Sequence, residues 1–144
     1  MSVSHILKSK GRDVITVAPT ASVAAVAEIL AKRRIGAVIV SSDGARIQGI
    51  VSERDIVRVL AEKGASSLAL KVDSIMSSNV KTCQEGDSEI EIMGLMTENR
   101  IRHLPVVAGG KLAGMISIGD VVKSRIEAIE RESAEMKAYI AGAA

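Results

Sequence analysis

Gly49-Ile50-Val51-Ser52-Glu53-Arg54-Asp55-Ile56-Val57 returns later in the chain as Gly114-Met115-Ile116-Ser117-Ile118-Gly119-Asp120-Val121-Val122. Each copy runs from an apolar stretch into Ser-x-x-Asp and back to apolar residues. That order predicts a buried strand feeding a helix whose first turn is closed by the Ser and the acid. Upstream, Arg34-Ile35-Gly36-Ala37-Val38-Ile39-Val40 returns as Arg100-Ile101-Arg102-His103-Leu104-Pro105-Val106. The copies lie 66 residues apart at Arg34 and Arg100 but 65 apart at Asp55 and Asp120, so one residue has been lost from the intervening loop. Halves of this size are small for independent cores, and they are expected to fold as one unit about a pseudo-twofold axis, with equivalent clefts on either side.

Outward from these stretches, apolar runs alternate with helical spacing. Val14 to Val17 reads as a short strand ending before Pro19. Ser22 to Arg33 places Val23, Val26, Ala27 and Leu30 on one helical face behind an N-cap at Ser22. Ala37 to Val40 is a buried strand bounded by Ser-Ser-Asp-Gly, Ile47 to Val51 is another, and the helix from Ser52 ends at Gly64. In the second half, Val80 to Cys83 is the short strand and Ser88 to Asn99 the helix. His103 to Val107 and Leu112 to Ile116 make a hairpin around Gly109-Gly110, and a last helix starts near Ser117. The expected fold class is α/β (α+β), a β-α-β-β-α unit used twice. Repeat 1 occupies residues 3–63, a linker 64–71, repeat 2 residues 72–125, and a C-terminal helical extension 126–144. Val72 to Met76 echoes the opening segment Val3 to Leu7.

The extension carries Val122, Ile126, Ile129, Ser133, Met136 and Ile140 at alternating spacings of four and three. This is a coiled-coil seam of fewer than three heptads. Such a stripe packs on a second copy or back on its own domain, and the homodimer is the preferred expectation because an apolar stripe in water is a liability.

The chain has 144 residues, of which 47% are hydrophobic but only 1% aromatic, so its core must be built from aliphatic side chains. A net charge of +2, with no Trp or Phe to stack on bases, argues against a nucleic-acid partner. Cys83 is the single cysteine, which excludes an internal disulfide and a cysteine-rich zinc site. Met1 to Lys10 lacks the apolar core of a signal peptide, and no apolar run is long enough to span a bilayer. The expectation is a soluble, cytoplasmic protein with no membrane partner.

Two constellations carry candidate chemistry. Ser52/Asp55 and Ser117/Asp120 are, on the plain reading, helix caps. The sharper reading is that each helix starts straight after a strand, where its free N–H groups and the Ser hydroxyl can hold phosphate and the Asp can accept from a ribose diol. The second constellation is basic. Arg33-Arg34 and Arg100-Ile101-Arg102-His103 end the two equivalent helices, and Arg54 lies inside the first Ser-x-x-Asp. The helix dipole alone accounts for Arg33 and Arg34, whereas Arg102 and His103 lead directly into a buried run. Nucleophilic catalysis has one weak candidate pairing, Cys83 with His103. The chain has no HExxH, CxxC, Walker A or GxSxG pattern, and no metal site is expected.

These stretches resemble paired CBS domains, the Bateman module, over Val3 to Lys123, and are most similar to the small stand-alone CBS-pair proteins of bacteria. The resemblance implies a sensor and not an enzyme, with no catalytic cofactor. The implied ligand is an adenine nucleotide, AMP first with ATP or NAD(H) as alternatives, bound between repeats, and the implied assembly is a homodimer. By resemblance, Asp55 and Asp120 hold the ribose hydroxyls, with Ser52 and Ser117 beside phosphate or ribose. Thr16 and Thr82 line the phosphate side, and Arg34 and Arg100 match a phosphate-contacting position. Arg102, His103 and Pro105, with Ala37 in the other half, border the base. The signal would pass to an effector protein in trans. The alternative is a structural interaction module with no physiological nucleotide. The sequence departs from the family pattern in two places. Repeat 1 lacks the Leu-Pro-Val core, and Glu89 stands where an apolar residue is usual.

Overall fold

The structure, a computed structural model, describes residues 1–143, and Ala144, the end of the expected extension, lies outside the described residues. Helix α1 (Val3–Lys10), strand β1 (Thr16–Val17), helix α2 (Val23–Arg33), strands β2 (Ala37–Val40) and β3 (Gly49–Ser52) and helix α3 (Glu53–Lys63) come first. Two 3-10 turns, Gly64–Ala69 and Val72–Ser74, then lead to α4 (Glu89–Asn99), β4 (His103–Ala108), β5 (Lys111–Ser117) and α5 (Ile118–Ala143). The segment read as a linker is thus partly helical, and the opening segment is a full helix.

Helices α2 and α4 start and stop in the same way. The hydroxyls of Ser22 and Ser88 accept the N–H groups of Ala25 and Glu91 at 3.1 Å, satisfying donors that a helix start leaves free. At the other end Arg34 and Arg100 both adopt the left-handed conformation, φ 53°. The next residue's N–H folds back, Ile35 onto the Leu30 carbonyl and Ile101 onto that of Met96. Both isoleucines then pack against a core, so the repeated Arg-Ile is a Schellman-type helix closure.

In the first half β1 pairs parallel with β2, and β2 pairs antiparallel with β3. In the second half β4 and β5 form a hairpin. The strand expected at Val80 to Cys83 is not formed and survives as one parallel bridge, Cys83 to Val106. Pro105 supplies the reason. Its counterpart Ile39 donates its N–H to Ile15 at 3.2 Å, and a proline has no N–H to offer the neighbouring chain. The β4–β5 connection is a two-residue turn with positive φ at both Gly109 (58°) and Gly110 (76°), the primed geometry that matches strand twist. The β2–β3 connection is a wider loop that holds the extra residue.

Two aliphatic cores result, and each is completed by the other half's leader. Val3, Ile6 and Leu7 of α1 are buried with Cys83, Ile92, Met96, Leu104, Val106 and Ile116 of the second half. Val72 is buried with Val17, Val23, Val26, Val38, Val40 and Val51 of the first. Backbone bonds fix the exchange. Val3 and Ser4 donate to Asp87 and Glu85 at 2.9 Å, while Val72 donates to Ala21 at 2.8 Å and Val23 to Leu70 at 2.9 Å. The repeated glycines of the decisive stretch allow it. A Cβ on Gly49 would collide with Met76, and one on Gly114 would lie 2.9 Å from Leu7. From Ile129 to Gly142, α5 has left the cores and is exposed on every side.

Candidate functional site

Each Ser-x-x-Asp closes a reciprocal cap. The Ser52 hydroxyl accepts the Asp55 N–H, and Asp55 Oδ2 accepts the Ser52 N–H at 2.8 Å. In the second copy, Ser117 N–H donates to Asp120 Oδ2 at 2.9 Å and Asp120 N–H to the Ser117 hydroxyl at 3.1 Å. The caps hold both carboxylates rigidly at the sheet end, where helix N–H groups also point.

Around Asp55 this geometry opens into a cleft of about 560 Å³. Ser52, Arg54 and Asp55 come from the start of α3 and Ala37 from β2, while Arg100, Arg102 and His103 reach in from the other half. Arg54, Arg58, Arg100 and Arg102 outnumber the two carboxylates, Glu53 and Asp55, so the cleft favours an anion. Arg58 lies 3.5 Å from Asp55 Oδ1 across exposed space. The apolar wall is Ile50, Val57 and Ile101, which gives a flat ring aliphatic and not aromatic contacts. His103 is half-buried, and its ring fills the space a Cβ on Gly36 would need, 2.8 Å away. Burial first, and then the Lys10 ammonium, hold its pKa below the usual histidine value, against the pull of Glu53 and Asp120. The imidazole is therefore neutral near pH 7, with one nitrogen free to accept.

The remaining expected residues lie elsewhere. Thr16 pairs with Ile39 inside the first sheet, Arg34 is an exposed helix closure, and Thr82 is exposed beside the Cys83 bridge. Pro105 is buried, its carbonyl accepting the Cys83 N–H at 3.0 Å. Ser117 is a cap, and Asp120 faces a depression of only about 120 Å³. Seven cleft residues, Gly36, Ile50, Glu53, Val57, Arg58, Ser77 and Ile101, were not anticipated as site residues. Arg58 follows Asp55 by three and so shares its helix face, a signal the spacing does contain. Ser77 and Gly36 arrive through packing that no local pattern announces. Cys83 is buried with its thiol pKa pushed up to about 12, chiefly by burial and then by Asp87, which removes the thiolate that nucleophilic chemistry with His103 would need.

The CBS domain family profile matches residues 3–62 and 72–127. The chain belongs to the CBS domain family. A CBS-domain containing protein of Agrobacterium tumefaciens shares 46% identity and superposes with a TM-score of 0.84, covering 87% of this chain and 99% of that one. A mitochondrial CBS domain-containing protein of Arabidopsis thaliana is 33% identical over 98% of this chain and 72% of its own length. A CBS domain protein of Pyrobaculum aerophilum, solved in complex with AMP, shares 32% identity at a TM-score of 0.74, covering 83% of this chain and 89% of that one. The fold is therefore an α/β CBS pair with a long C-terminal helix. Some CBS-pair relatives have been solved with AMP, or with methylthioadenosine and S-adenosylmethionine, bound. Among the described residues, no helix of this CBS pair is long and apolar enough to cross a membrane.

Proposed function

We propose that the protein is an adenine-nucleotide-binding regulatory module that reports energy or redox state to a partner protein. The observation that carries this is the Asp55 cleft, in which a capped carboxylate, four guanidinium groups and an aliphatic wall converge. Its 560 Å³ lies within the roughly 300–1,000 Å³ usual for small-molecule sites. Asp55 Oδ1 would take a ribose hydroxyl, the arginines the phosphate, and Ile50, Val57 and Ile101 the adenine. AMP is the first candidate, supported by the Pyrobaculum relative, with ATP and NAD(H) as alternatives. Binding joins α3 of one half to the Arg100–His103 segment of the other, so an occupied cleft favours one arrangement of the halves. Binding and not catalysis is the proposed activity, in the cytoplasm, where adenine nucleotides circulate.

We also propose a homodimer. Val122, Ile126, Ile129, Met136 and Ile140 stand about half exposed or more along one side of α5, and a second copy would cover them. Sedimentation at twice the chain mass tests that assembly, and sedimentation at the single-chain mass would refute it. The nucleotide reading is tested by the ultraviolet spectrum of freshly purified protein. One Tyr and no Trp make the polypeptide a weak absorber, so co-purified adenine dominates and reduced nicotinamide adds its own band. Mass spectrometry of the denatured supernatant then names the ligand. No saturable binding of AMP, ATP or NADH to the protein would turn the reading towards an interaction module working through α5.

A further inference from the structure

The duplication repeats the capped carboxylate, yet Asp55 lines a large cleft between the halves, whereas Asp120 lines a small depression between α1 and α5. The difference begins at two matching carbonyls. Ile50 exchanges backbone hydrogen bonds with Ser77, 3.0 Å in each direction. At its counterpart Met115, the carbonyl accepts from the Lys10 ammonium at 2.8 Å. The same ammonium donates to Asp120 Oδ2 at 2.6 Å. At the Asp55 cleft, among the described residues, Oδ2 takes only the Ser52 N–H and hydroxyl, and Oδ1 meets the Arg58 guanidinium at 3.5 Å.

The leaders explain this. In the second half the leader makes one 3-10 turn, Val72–Ser74, and then turns to bridge Ile50 at Ser77. In the first half it stays helical to Lys10 and is closed by Gly11 at φ 101°. Leu7 and Lys10, three residues apart, share a helix face. Leu7 packs over Gly114, which delivers Lys10 to the next carbonyl and to Asp120. A lysine suits such a place, being a compact ammonium on a long flexible stem with three donors.

We propose that Lys10 is a built-in plug, its stem and ammonium standing over Asp120 and the Met115 carbonyl where a ligand would approach, so that each chain binds one nucleotide, at Asp55, and none at Asp120. The proposal rests on the nucleotide reading of the Asp55 cleft. It makes the two halves functionally unequal although their scaffolds match. A dimer would then carry two nucleotides and not four.

Calorimetric titration of the full chain with AMP, and separately with ATP, counts the sites. The parent is expected to bind one nucleotide per chain, and Lys10→Ala to bind two. Lys10→Met, which keeps the apolar stem over the depression, is expected to bind two as well, so a packing defect in the alanine variant does not decide the result. Lys10→Ala combined with Asp55→Ala is expected to return to one. Two sites on the parent, or one site on both Lys10 variants, overturns the plug. A parent that binds neither nucleotide overturns the reading of the Asp55 cleft itself.

Discussion

Arg34 and Arg100 hold a backbone conformation that costs an L-residue about 1 kcal/mol, and the chain uses it at both helix ends. In return, Ile35 and Ile101 are driven into the cores and the last turns are closed. Glycine adopts the same φ freely, so Arg34→Gly should raise stability by about 1 kcal/mol. A higher urea midpoint with an unchanged slope is the expected result. Asp120 carries a prediction of the opposite sense. Burial alone would raise its pKa, but hydrogen bonds from Lys10 and Ser117 outweigh that and hold it below the usual carboxylate value. A group depressed in this way binds fewer protons folded than unfolded. Its contribution is therefore full above the ordinary carboxylate pKa of about 3.9 and is lost as pH falls through the lower folded value. Asp120→Asn should make stability less steep between those limits, and an unchanged acid-unfolding curve would contradict the ion pair. Glu89, the departure noted in the sequence, replaces a core position held by Val23 in the first half. It is buried, with Oε2 accepting the Ser124 hydroxyl at 3.1 Å and Oε1 lacking a partner among the described residues.

Among the elements, the exchanged leaders decide how the chain folds. Helix α1 belongs to the second core although it opens the first half, so Leu7→Ala should destabilise the whole molecule by about 2–5 kcal/mol. Circular dichroism and a second-half probe should report one shared transition, whereas an early loss confined to the first half would contradict the packing. Much of this level was legible in the residues. Ser22, Ser52, Ser88 and Ser117 cap the helices expected of them, and Gly109-Gly110 turns the hairpin, because caps and turns are written in single residues. Three features were not. The Val80 to Cys83 run looks like its counterpart but meets Pro105, a partner lacking a donor, and strand pairing depends on both chains. The helical state of Val3–Lys10 and the destination of its apolar face are set by a core more than 70 residues away. The left-handed arginines are hidden because nothing but glycine announces that conformation. The clefts divide in the same way. Ser52, Asp55 and their helix could be read from spacing, but the approach of Arg100, Arg102 and His103, and the closing of Asp120 by Lys10, are long-range.

For the whole molecule, the repeated scaffold places its two capped carboxylates in unequal surroundings. The charge that is small overall is concentrated where Arg54, Arg58, Arg100 and Arg102 surround one capped carboxylate. Those arginines come from both halves, so in the proposed function a bound anion would bridge them and a change of nucleotide would change how the halves sit. The exposed side of α5 gives that change a surface to act on. Asp55 carries the central contact of the proposed site. Its replacement by alanine removes the proposed ribose contact and also one half of a capping box worth about 1 kcal/mol, so the folded state must be verified alongside. The decisive measurement is equilibrium dialysis of radiolabelled AMP against the parent and a folded Asp55→Ala variant. Saturable binding by the parent that weakens at least tenfold in the variant is the predicted result; equal binding by both would contradict the account.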